Sequence, residues 1–154
     1  LNLVNLNIGI FFRQWEEEKG SLVDRHKLIL EIPKLEIPEI NTDPQLLLRV
    51  MENLLSNAVK YSPMDSEIKI IVSAERKCLK IYVKNIVEDN INVNWSMATS
   101  KFYRGDISRR ANGNGSGLGL TIVNDIVKHL GGSFEIGEED KCVCAKVNLP
   151  YNLN

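Results

Sequence analysis

The sequence predicts an α/β two-layer sandwich: one mostly antiparallel, mixed sheet covered on a single face by helices. Three observations carry the prediction. Segments with apolar residues at every second position come in two closely spaced pairs, a segment with helical apolar spacing precedes each pair, and the connections within each pair are short. With 154 residues the chain suits a single domain, 1–154, able to bury one core.

Composition narrows the class further. Hydrophobic residues make up 44% and charged residues 25%, the balance of a globular domain and not of a disordered one. The formal net charge is -1 with no basic block, which argues against a nucleic-acid partner. No apolar run approaches a membrane span and no signal peptide is visible, so the residues present read as cytoplasmic. The three cysteines, Cys78, Cys142 and Cys144, do not make a disulfide framework. Cys142 and Cys144 would share one face of a strand. Without histidine partners nearby they read as core residues and not as a metal site.

Each element follows from local signals. Apolar alternation at Leu1 and Leu3 gives way to a helical stretch through Ile10, Phe11 and Trp15, which Gly20 ends. His26 to Ile32 reads as a strand. Asp43-Pro44 opens the clearest helix, with a capping carboxylate before a proline at the first helical position, and Ser62-Pro63 closes it. Strands follow at Glu67 to Ala74 and Leu79 to Lys84. Residues 85–114 have no sustained period and are long for a connection, which suits a lid. A glycine-rich turn then leads into a helix from Leu118 to Leu130, stopped by Gly131-Gly132. Strands at Ser133 to Ile136 and Cys142 to Leu149 complete the chain.

Two constellations carry chemistry. At about 100° per residue, Asn53, Asn57 and Lys60 fall within roughly 60° of one another on the 44–61 helix. They border the apolar arc of Leu47, Met51, Leu54, Leu55 and Ala58. An asparagine carbonyl oxygen suits Mg²⁺, a lysine supplies a point charge for phosphate, and Tyr61 can pack on a base. The spacing alone equally suits an amphipathic helix whose polar face holds two asparagines. The second constellation, Gly113-Asn114-Gly115-Ser116-Gly117-Leu118-Gly119-Leu120, opens directly into an apolar helix, where backbone amides can meet phosphate. It lacks the Gly-Lys-Ser/Thr of a Walker A loop and follows a polar segment where a dinucleotide fingerprint would follow a strand. Read by itself it also fits a flexible hinge.

Taken together, these stretches resemble the histidine kinase ATPase family, whose Bergerat-type ATP-binding fold is shared with gyrase and MutL. Asn53-Leu54-Leu55-Ser56-Asn57-Ala58-Val59-Lys60-Tyr61-Ser62 resembles the family's N box. Lys101-Phe102-Tyr103-Arg104-Gly105-Asp106 resembles the F box of sensor kinases, and Gly115-Ser116-Gly117-Leu118-Gly119-Leu120 the G2 box. The resemblance implies ATP and Mg²⁺ as cofactors, with Asn53 as the metal ligand. It further implies Asn57 near the phosphates, Lys60 on phosphate and Tyr61 flanking the nucleotide. Arg104 would reach the γ-phosphate from a lid at 86–115. Gly115, Gly117 and Gly119 would let the lid backbone close, with Leu118 anchoring the helix. It implies a γ-phosphate transfer to a histidine on a separate dimerisation hairpin, then a response regulator as partner. The catalytic acid or base would lie on that hairpin, so this chain would be a monomer that does not phosphorylate itself. A parent protein would be anchored in the cell membrane. His26, in a strand, and His129, near a helix end, do not look like the phosphoacceptor.

One departure stands out. The family's G1 box has an aspartate that accepts from the adenine amino group, followed by two spaced glycines. Here Asn85 replaces the aspartate, and Val87 and Asp89 stand where the glycines belong. An asparagine carbonyl still accepts, without the charge assistance that strengthens such bonds. Weaker ATP binding is expected, and the alternative reading is a regulatory or interaction module that keeps the kinase fold.

Overall fold

The structure, a computed structural model, describes residues 1–32, 39–88, 93–95 and 118–152. Among these the element order is β1 (Val4–Asn7), α1 (Ile8–Lys19), β2 (Leu22–Val23), β3 (His26–Glu31), β4 (Glu39–Thr42), α2 (Pro44–Tyr61), β5 (Glu67–Glu75), β6 (Cys78–Ile86), α3 (Leu118–His129), β7 (Ser133–Glu139) and β8 (Cys142–Pro150). Six strands form one sheet in the order β2-β3-β5-β6-β8-β7, while β1 and β4 pair separately. Only the β3–β5 pairing within the six-stranded sheet is parallel. The sandwich read from the sequence is the fold observed.

Helix α2 forms where the sequence places it. The Asp43 carboxylate accepts from the amides of Gln45 and Leu46 at 3.0 and 3.2 Å, and also from the amide of Asn2 at 2.9 Å. Pro44 occupies the first helical position, where a missing N–H costs nothing. At the other end Ser62 turns its hydroxyl onto the Ala58 carbonyl at 2.7 Å before Pro63 forbids continuation. Helix α1 begins two residues earlier than its apolar spacing suggests, because the Asn7 side chain caps the Ile10 amide at 3.0 Å. Its buried side chains, Ile8, Phe12 and Trp15, recur at helical spacing.

The core lies between the sheet and the helices. Ile68, Ile70 and Val72 of β5, Leu79, Ile81 and Val83 of β6, and Val143, Ala145, Val147 and Leu149 of β8 point to one side. Against them stand Leu47, Val50, Met51, Leu54, Leu55 and Ala58 of α2 and Leu120, Val123 and Val127 of α3. Each fully buried Val, Leu, Ile or Met side chain among them contributes roughly 1.5–3 kcal/mol by leaving water. Three two-residue hairpins (Asp24-Arg25, Arg76-Lys77, Asp140-Lys141) have positive φ at both positions, the geometry that matches strand twist.

The structure corrects the sequence reading in three places. The short strands β2 and β4 carry too few residues to show a period, and β4 forms because Ile40 is fully buried where it pairs with Leu6. Strand β7 extends to Glu139, beyond its apolar part, because β8 pairs with it along its whole length. Cys142 and Cys144 are not core residues. They stand half-buried on the uncovered sheet face, and Val143 and Ala145 fill the core. A Cys-Val-Cys-Ala run allows either phase, and a one-residue shift of register exchanges the faces. Burial raises the Cys144 pKa, opposed by Lys84 and Lys146 nearby, so the thiol stays protonated at neutral pH.

Two outcomes follow. A methyl group on Gly132 would stand 1.9 Å from the Asn148 carbonyl oxygen, so Gly132→Ala should lower stability by about 1–3 kcal/mol in urea unfolding. The Asp43 carboxyl is held below the usual carboxylate range, first by the Asn2 amide and then by those of Leu46 and Gln45, against the opposing effect of burial. Its contribution is therefore present above the unfolded pKa and lost as pH falls through the lower folded value. Asp43→Ala should cost about 1 kcal/mol at pH 7, and the gap should narrow in unfolding curves taken progressively below about pH 4. A gap of constant size would assign the cap to hydrogen bonding that does not depend on charge.

Candidate functional site

Asn53, Asn57 and Lys60 project from α2 toward the N-terminal turn of α3. With Ser56, Tyr61, Gly119 and Leu120 they line a cavity of about 70 Å³. The Asn53 side-chain amide donates to the Arg49 carbonyl at 2.8 Å, which leaves its Oδ1 as the free acceptor. That oxygen lies 3.3 Å from the point where a side chain on Gly119 would begin. Glycine is thus what lets the start of α3 approach the α2 amides so closely. The Lys60 ammonium sits 5.4 Å from the centroid of the Tyr61 ring, a cation–π distance that keeps it beside the cavity. One residue before Asn53, Glu52 accepts from Trp15 Nε1 at 3.2 Å and Lys19 Nζ at 2.6 Å, fastening α1 to α2.

Asn85 lies on the inward face at the end of β6 and is 4% exposed. Its Nδ2 donates to the Ile86 carbonyl at 3.0 Å, so its Oδ1 is the acceptor left over. Val87, at a glycine position of the resemblance, is buried and donates its amide to Lys141 O, while the Glu88 amide reaches Tyr61 O at 3.4 Å. Positive φ at non-glycine residues, among the described residues, belongs to turns elsewhere, so the chain does not make a glycine-type bend at Val87. Leu118 opens α3, without its side chain being described, and Arg104, Gly115 and Gly117 lie outside the described residues. So does the expected lid at 86–115, apart from 86–88 and 93–95.

Sequence reasoning missed Trp95 and Glu138. Trp95 is 5% exposed, packs edge-to-face on Tyr61 with ring centroids 5.2 Å apart, and donates Nε1–H to Glu138 Oε1 at 3.0 Å. The available signal was a tryptophan flanked by polar residues in the stretch Asn92-Val93-Asn94-Trp95-Ser96. His26 is buried, its Nδ1 2.7 Å from the Asp24 carbonyl and its Nε2 3.3 Å from that of Ser62. His129 is exposed in the last turn of α3, where a helix C-terminus favours it. Larger hollows, up to about 480 Å³ and lined by Tyr82, Lys84, Cys142, Cys144 and Lys146, are troughs between side chains on the uncovered sheet face, away from these motifs. Among the described residues no three His, Cys, Asp or Glu side chains group as metal ligands, and no helix is long and apolar enough to cross a membrane.

Residues 42–152 match the histidine kinase-, DNA gyrase B- and HSP90-like ATPase family, and the chain belongs to it. Over 107 residues it is 34% identical to the probable sensor protein PcoS of Escherichia coli, covering 70% of this chain and 23% of that protein. It is 33% identical to the sensor protein VanS of Enterococcus faecium, covering 72% of this chain and 29% of that one. The chain therefore spans about a quarter of the length of these curated relatives. The catalytic domain of histidine kinase ThkA has the same fold, with a TM-score of 0.78 at 17% identity over the whole of both chains. The histidine kinase AdeS of Acinetobacter baumannii gives a TM-score of 0.75 at 15% identity, over 99% of this chain and 69% of that one. The curated relatives are sensor proteins, among them the sensor histidine kinase CusS of Escherichia coli, and the domain is of the ATPase type that the family describes.

Proposed function

We propose that this domain binds ATP·Mg²⁺ and presents the γ-phosphate to a histidine on a separate helical hairpin of the same protein, as one step in signalling to a response regulator. The observation that carries the reading is the cavity shared by Asn53, Asn57, Lys60, Tyr61 and the first turn of α3. The residues fit a hard cation held jointly with a polyphosphate: Asn53 offers one neutral oxygen, already turned away from its own helix, and phosphate oxygens and water would complete an octahedron. Mg²⁺, when bound, would neutralise charge on the phosphates. Lys60 would add a point charge, and Asn57 and the glycine-rich approach to α3 would hold phosphate oxygens by hydrogen bonds. Arg104 would act on the γ-phosphate, and Gly115, Gly117 and Leu118 would form the closing backbone and its anchor. Such a domain contributes positioning and electrostatic stabilisation, and the proton chemistry on the accepting histidine belongs to the hairpin. The chain alone would be monomeric and would not phosphorylate itself. Its parent would hold it in the cytoplasm from a membrane anchor.

A second reading, a regulatory module with impaired nucleotide binding, draws on Asn85 and Val87 at G1 positions. Calorimetric titration with a non-hydrolysable ATP analogue separates the two. Magnesium-dependent binding that Asn53→Ala weakens by about tenfold or more, roughly the loss of one metal-ligand contact, supports the kinase reading. No heat and no thermal stabilisation at millimolar analogue would leave the regulatory module as the better account. The base contact is tested separately. Asn85→Ala should weaken the adenine nucleotide by about three- to tenfold, the worth of one hydrogen bond, while leaving an inosine nucleotide, which lacks the 6-amino group, unchanged.

A further inference from the structure

Resting on the nucleotide-binding reading, we propose that the Trp95 indole occupies the base slot of this domain, so that a purine must displace it to bind. The slot is defined by Tyr61 at the end of α2 and by the inward row at the end of the sheet. In that row Asn85 of β6 pairs with Val143 of β8, and Val143 pairs with Glu138 of β7. Strands lie about 4.8 Å apart, so Asn85 and Glu138 stand two strand spacings apart with Val143 between them. One end of the indole packs on Tyr61 at an interplanar angle of 80°, and the other gives its N–H to Glu138.

The indole copies the features by which a base would be recognised. It is a flat fused bicycle, it packs on the aromatic ring assigned to the nucleotide, and it presents an N–H donor to an acceptor on the pocket wall. It is also almost wholly buried, although its neighbours in sequence are polar. The space left open fits this arrangement. The cavity of about 70 Å³ beside Asn53, Asn57 and Lys60 is at the phosphate end. Among the described residues this opening is far below the roughly 300 Å³ at which pockets for small molecules begin. A base packing on the same face of Tyr61 would have to take the place of the indole. An occupied slot lowers apparent nucleotide affinity by the fraction of molecules in which it is open.

The test compares nucleotide affinity and indole environment. A non-hydrolysable ATP analogue with Mg²⁺ is titrated into the wild-type domain, Trp95→Ala and Trp95→Phe. Trp95 emission and acrylamide quenching are followed in a Trp15→Phe background, which removes the other tryptophan. Trp95→Ala should bind about fivefold tighter or more, as expected when a competing closed population is removed, with Trp95→Phe in between. At saturation Trp95 emission should move to the red and become more quenchable. Equal or weaker binding by both variants, or an indole that stays buried at saturation, makes Trp95 a fixed wall and overturns the proposal while nucleotide binding stands. If all three proteins melt cooperatively and none binds, the nucleotide reading itself fails, and the plug with it.

Discussion

Helix α2 has to serve two surfaces with one set of residues. Its apolar arc must pack on the sheet to bury the core, and the adjoining stripe must remain polar against the first turn of α3. The 3.6-residue period fixes the angle between those stripes, so once Leu47, Met51, Leu54 and Ala58 are seated, Asn53, Asn57 and Lys60 have only one direction to face. The site is a by-product of core packing in this sense, and its precision comes from the rigidity of a close-packed interior.

What the core cannot supply is the close approach of the second helix. Gly119 does that, by leaving room for the Asn53 oxygen where any side chain would crowd it. Asn53 itself spends its N–H on the Arg49 carbonyl, a bond that orients the remaining oxygen without help from a ligand. Glu52 holds α1 against the same helix through Trp15 and Lys19. These three devices act on neighbouring residues of one turn, which concentrates positional control where a cation and phosphates would be held.

The base end of the site is organised differently. Asn85 keeps a hydrogen-bond acceptor but not a charge, and Val87 builds ordinary buried backbone where the family bends at glycine. Tyr61, Trp95 and Glu138 then form a chain of contacts from the end of α2 to the edge strand. The proposed phosphate end keeps the residue types of the family resemblance, and the proposed base end departs from it at Asn85 and Val87.

The sequence by itself determined the layers, the limits of α2 and the membership of the motif stripe, because caps, prolines and apolar periods act within a few residues of their cause. Asp43, Pro44 and Ser62-Pro63 mark the helix ends as written, and Asn53, Asn57 and Lys60 share one face because helical geometry leaves no other arrangement. The tertiary structure decided what depends on distant partners. It set the phase of Cys142 and Cys144 through register with β6, formed β4 through pairing with β1, and buried Trp95 against a tyrosine and a glutamate far from it in sequence. A period-two run is symmetric to a one-residue shift, a four-residue strand is too short to show a period, and a tryptophan flanked by polar residues names no partner. Those choices belong to the folded chain because the energies that settle them exist only once the sheet and helices are in contact.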